Sequence, residues 1–126
     1  FSVERRALPA GDYSLLGSET RVAVERKSLV DFAQTVIRAR RRFREELRKL
    51  AACEHACVVV EGSLRDVLEG AYGTGAHPNA IFGAALAICI DYRIPVFFCG
   101  ERQTAKRFVE GYLERCWRAI PQRDLG

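Results

Sequence analysis

Three side chains within sixteen residues, Asp12, Glu25 and Lys27, have the types needed to break a phosphodiester bond. They lie in the stretch from Gly11-Asp-Tyr-Ser to Val24-Glu-Arg-Lys27, which reads as two short strands joined around Gly17-Ser18. If 17–20 is a four-residue loop, Leu16 faces Arg21, Ser14 faces Ala23, and Asp12 faces Glu25. Side chains alternate along a strand, so Tyr13, Leu15, Val22 and Val24 form a core side while Asp12, Ser14, Ala23, Glu25 and Lys27 share the other. Opposed residues have β-carbons about 5 Å apart, and like charges there destabilise the pair. A divalent cation between the carboxylates resolves the conflict, and hard oxygen donors suit Mg2+ or Mn2+. Lys27 would then polarise a water or stabilise charge developing on a phosphate. An exposed hairpin leading into a capped helix has the same spelling, so spacing alone leaves both readings open.

The elements that must position these groups are legible in outline. Val22 to Glu25, Cys57 to Val60 and Pro95 to Cys99 read as strands, and about 28–52, 78–91 and 101–118 as helices. Alternating strands and helices predict an α/β fold with a mixed sheet, whose first 26 residues are antiparallel: a strand near 1–6, a turn at 8–11, then the hairpin. The first helix opens with Ser28-x-x-Asp31, close to a capping box. Leu29, Phe32, Ala33, Val36, Phe43, Leu47 and Leu50 make one apolar stripe. Arg38, Arg41, Arg42, Arg48 and Lys49 fall off it and read as a solvated face with Glu45–Lys49 pairing. Arg40 falls inside the stripe. Its head either reaches past the edge or is held toward a negatively charged site, and the acidic hairpin upstream favours the second.

With 126 residues and 48% hydrophobic composition, the chain fits one domain and is no disordered tail. It opens on Phe1, inside what reads as a strand, and contains no Met, so the natural start is expected to lie upstream. No window reaches the roughly 18 apolar residues of a membrane span. A net charge of +4, carried by seventeen Arg against three Lys, leans toward a polyanion or reflects codon usage; the lysines are the more informative for being few. Five cysteines suit reduced thiols in an intracellular protein, and Cys53-x-x-x-Cys57 lacks the second ligand pair of a zinc site. His77-Pro-Asn79 reads as a helix start, 81–90 as a buried helix or a subunit contact, and Phe108, Tyr112 and Cys116 as core.

Gly11-Asp12 followed by Val24-Glu-Arg-Lys-x-x-x-Asp31 resembles the Gly-Asp…Glu-Arg-Lys-x-x-x-Asp signature of the XPF/Mus-type structure-selective endonucleases, and the order of the later elements fits as well. The resemblance implies a restriction-endonuclease-like fold, a mixed sheet flanked by helices. It implies metal binding by Asp12, Glu25 and the Arg26 carbonyl, Lys27 as the catalytic lysine, and Arg26 and Asp31 as supporting catalytic residues. The helical Arg of the family falls on Arg40, with Arg41 the other candidate; Arg40, Arg41 and Arg44 are expected to hold DNA, and Glu61 to stand behind the ligands. Relatives usually begin with an Asp-bearing strand, and many add a tandem helix-hairpin-helix module; neither is in these 126 residues. The implied activity is metal-dependent cleavage of branched, flapped or distorted DNA by a homodimer or heterodimer in the cytoplasm. A non-catalytic DNA-binding or dimer-partner module and an RNA or restriction-type nuclease are the other readings.

Overall fold

A computed structural model describes residues 3, 4 and 8–121. Its centre is set by Cys57-Val-Val-Val60, four consecutive residues with no exposed surface. Such a run, β-branched and without alternation, belongs to a strand covered on both faces. It forms β4 (His55–Glu61), flanked in parallel by β3 (Val22–Ser28) and β5 (Val96–Phe98) in the order β3-β4-β5. The register pairs Glu25 with Val58, Lys27 with Val60 and Ser28 with Glu61. At the outer side of β3, the antiparallel pair β1 (Val3–Glu4) and β2 (Ser14–Leu15) joins through a single bridge, Tyr13 to Val24, so the sheet is mixed as expected. The rest of the strand expected over 1–6 lies outside the described residues.

Helices cover both faces. Helices α1 (Leu29–Arg38), α2 (Arg40–Ala51) and α4 (Pro78–Asp91) pack with Ala23, Val58 and Val60, whereas α5 (Arg102–Ala119) packs with Val22, Val24, Cys57 and Val59. The hairpin therefore has no solvent side over most of its length: Ala23, assigned to the acidic face, is fully buried. The acids sit where that covering ends. A short helix, α3 (Leu64–Leu68), closed by a reciprocal Ser63–Asp66 cap, escaped the sequence pattern because it is barely one turn long.

The single helix expected over 28–52 is corrected to two. Ala39 leaves the helical region (φ −126°, ψ 36°), and the Val36 carbonyl accepts from Arg40 Nε at 3.0 Å. A side chain inserted into the ladder is an ordinary cause of a helix break. The apolar stripe stays in phase across it, and Phe32 meets Phe43 edge-on at 6.2 Å, which ties α1 to α2. Helix α4 is likewise buried on one face only, by Ile81, Ala85 and Ile88. On α5 the buried stripe is Ala105, Val109, Leu113 and Cys116, with Phe108 and Tyr112 flanking it.

Because Phe32 is wholly buried and carries the α1–α2 contact, Phe32→Ala should cost about 3–5 kcal/mol. Urea denaturation checks this; a loss below about 1 kcal/mol would contradict the packing.

Candidate active site

Gly11 has φ +69°, and a Cβ there would lie 2.8 Å from the Val24 carbonyl oxygen. Both the conformation and the space admit only glycine. That approach lets the N–H groups of Asp12 and Tyr13 donate to one acceptor, the Val24 carbonyl, at 2.7 and 3.1 Å. Two residues thus oppose one, a bulge that stops the ladder and re-aims the Asp12 side chain. The regular Asp12–Glu25 pairing expected from alternation is replaced by this bulge, but the outcome is the same: the two side chains meet closely enough for Asp12 to raise the Glu25 carboxyl. Asp12 Oδ2 also accepts from the Arg26 N–H at 2.9 Å, taking the place of a strand partner. Alternate residues of a strand turn N–H and C=O to the same neighbour. The Arg26 carbonyl therefore faces the Asp12 edge and not β4.

Asp12, Glu25 and Lys27 line one polar recess of about 340 Å3, together with the backbone of 8–11 and with Glu46 and Lys49 of α2. Burial, then the hydrogen bond and charge of Asp12, push the Glu25 carboxyl up to about 9, Glu46 adding a smaller push and Lys27 opposing it. Without a counter-charge, the pair can keep only one negative charge comfortably. Lys27 Nζ lies 5.8 Å from the centre of the Phe43 ring, a cation–π contact that holds the ammonium over the recess. Two carboxylates and a carbonyl at one edge are a donor set that Mg2+ or Mn2+ accepts, since these ions retain several waters. No group of three or more His, Cys, Asp or Glu side chains is arranged for a metal among the described residues. The described donors therefore fit a partly hydrated ion.

Arg26 turns to the other side of the sheet. Its Nε donates to Glu61 at 2.6 Å, one terminal nitrogen to the Tyr13 hydroxyl at 3.3 Å, and the other to the Arg102 carbonyl at 3.1 Å. It lines a second cleft, of about 290 Å3, which shares Asp12 with the recess. The guanidinium thus clamps β3, β4 and the start of α5, and Glu61 stands behind the site through it. Asp31 lies in the first turn of α1, where its N–H donates to Ser28 Oγ at 3.1 Å; its exposed side chain does not line the recess. Arg40 and Arg44 line a groove between α2 and α4, beside Asp91 and Tyr92, and Arg41 is exposed. The expectation that Arg40 is held toward the acidic pair is corrected: it caps α1 instead.

Glu46 and Lys49 were not recognised as site residues. Lys49 is exposed, as its place on the solvated face implies, and also lines the recess. Their signal was present in the three-residue step that places both on one edge of α2. Cys53 and Cys57 pack in the clusters on opposite faces of the sheet, so they cannot share a zinc ion. Burial raises the thiols of Cys53, Cys57, Cys99 and Cys116, which marks them as unreactive packing groups. His77 is the cap of α4, its Nδ1 accepting from the Asn79 N–H at 3.1 Å. No helix among the described residues is long and apolar enough to cross a membrane.

A mixed sheet flanked by helices, with a Gly-Asp bulge set against Glu25-Arg-Lys27, defines an XPF-type nuclease domain. The chain belongs to the ERCC4 domain family, which matches residues 1–112. In structure it is similar to XPF from Aeropyrum pernix, with a TM-score of 0.69 and 25% identity, over 90% of this chain and 52% of that one. A structure of XPF from Aeropyrum pernix in complex with DNA gives a TM-score of 0.69 and 24% identity, over 94% and 56%. A curated relative, "Putative ATP-dependent RNA helicase MJ1505" of Methanocaldococcus jannaschii, is 35% identical over 97 residues. Those residues are 77% of this chain and 11% of the relative. The chain thus spans about half of the Aeropyrum chains and about a tenth of the helicase.

The raised Glu25 carboxyl sets a sign for pH dependence. Its protonation favours the fold, so that contribution is full below about pH 4.5 and is lost as pH rises toward about 9. In chelator, urea denaturation should show Glu25→Gln gaining on the wild type as pH goes from about 5.5 to about 8.5. A constant difference between the two proteins would refute the raised carboxyl.

Proposed function

We propose that this domain is a divalent-metal-dependent DNA endonuclease that cuts phosphodiester bonds in branched, flapped or otherwise distorted DNA. The observation that carries the reading is the forced meeting of Asp12 and Glu25 beside Lys27 in one open polar recess. The XPF structure of the same fold bound to DNA supports the choice of nucleic acid.

Asp12, Glu25 and the Arg26 carbonyl would hold Mg2+ or Mn2+. When bound, the ion supplies Lewis-acid charge and lowers the pKa of a water to the range useful for attack. The Arg26 N–H orients Asp12 and fixes which of its oxygens remains outward. Lys27 donates to a non-bridging phosphate oxygen as charge builds there. The Arg26 guanidinium, already engaged by Glu61, Tyr13 and Arg102, keeps β3 in register with α5 and makes no direct contribution at phosphorus. Asp31 favours the N-terminal turn of α1 by its charge.

Arg40 and Arg44, which line the α2–α4 groove, and the exposed Arg41 would hold the DNA backbone, so binding should weaken steeply with salt. Leu86 and Ile90, 48% and 74% exposed on the outer face of α4, are where a second copy or a related partner would dock. Five unpaired thiols suit a reducing compartment that also contains DNA.

Protein with Mg2+ or Mn2+ should cut a forked or flapped duplex, and Asp12→Ala and Glu25→Ala should each lower the rate by at least about a hundredfold. Binding of the same DNA in Ca2+ should persist in both variants. Full cutting by either variant would sink the nuclease reading; DNA binding with no cutting by the wild type would favour the non-catalytic module.

A further inference from the structure

The chain uses Arg for seventeen of its twenty basic residues, yet two of its three lysines, Lys27 and Lys49, line the same recess. They arrive from different elements, one from β3 and one from the last turn of α2. An ammonium is a compact charge with three freely rotating donors, whereas a guanidinium needs a planar partner. A small, wet, acidic recess favours the first.

The charges at the recess give Lys49 a definite task. Asp12, Glu25 and Glu46 bring three negative charges, and Lys27 and Lys49 two positive ones. The recess with ionised side chains is therefore negative by one, and a divalent ion makes it positive by one. One phosphodiester neutralises that. Without Lys49 the ion-loaded recess would be formally neutral, and its attraction for a phosphate correspondingly weaker. Lys49 is exposed and its side chain makes no hydrogen bond or ion pair among the described residues, whereas Lys27 is partly buried over Phe43.

We propose that Lys49 is a positioning residue for the substrate: it holds a DNA phosphate at the mouth of the recess and gives the loaded site its net attraction for a phosphodiester. This rests on the nuclease reading above. Lys49 acts in binding, and Lys27 in the chemical step.

The test compares Lys49→Ala, Lys49→Arg and Arg48→Ala, the last removing an equal charge from the neighbouring exposed position, which does not line the recess. The probe is a fluorescently labelled forked DNA duplex, titrated in Ca2+ at several salt concentrations and then cut in Mg2+. Lys49→Ala should raise Kd and KM about tenfold with kcat little changed. It should also flatten the slope of log affinity against log salt by about 0.9. Lys49→Arg should recover most of the affinity, and Arg48→Ala should change the slope by clearly less. Unchanged Kd and slope in Lys49→Ala, or an equal change in Arg48→Ala, would overturn the proposal. A wild type that binds the fork but does not cut it would overturn the nuclease reading, while the Ca2+ titration would still decide whether Lys49 holds phosphate.

Discussion

The contact on which the site depends is the close approach of Gly11 to the Val24 carbonyl. It permits the bulge, the bulge ends the ladder, and the end of the ladder leaves Asp12 free to meet Glu25 and the Arg26 N–H. Two carboxylates in close contact in a buried position are costly unless a proton or a cation lies between them. The fold holds them there because β3 is fixed on its other side by seven register pairs to β4 and is covered by helices on both faces. Strain at the site is thus opposed by the best-packed part of the molecule, an arrangement common at functional sites.

Much of this was legible beforehand. The Tyr13–Val24 bridge has the predicted register, and alternation already set Arg26 apart from Glu25 and Lys27. The strands at Cys57–Val60 and Pro95–Cys99 and the last two helices fell within a few residues of their places. The helix break at Ala39 was invisible because Leu29 to Leu50 keep one phase whether or not the ladder is continuous there. For the same reason Arg40 seemed to point under the helix, when the break lets it turn back onto Val36. The three-residue step puts Glu46 and Lys49 on one edge of α2, but a helical wheel shows only what lies off the apolar stripe and not what stands opposite it.

Burial on both faces explains the remaining differences. A hairpin with one wet side was the simplest reading of Asp12, Ser14, Ala23, Glu25 and Lys27, but Ser14 and Ala23 have no exposed surface. The Ser14 hydroxyl is satisfied locally, donating to the Val22 carbonyl. Only the residues beyond the edge of α1 and α2 reach solvent. The recess is thus a boundary effect, placed where the helices stop covering the sheet.

The division of Glu25-Arg26-Lys27 between two sides of the sheet has a consequence for how mutational scans of such motifs are interpreted. Three adjacent letters that are usually treated as one unit belong to two mechanical systems, the acidic recess proposed to take an ion and a phosphate, and a girder joining β3, β4 and α5. Loss of Glu25 or Lys27 should leave an intact but silent protein. Loss of Arg26 should also look silent in a cleavage assay, but for a different reason, because the girder is gone. An assay of product alone merges the two; only a measurement of the scaffold, made in parallel, separates a disarmed site from a sagging frame.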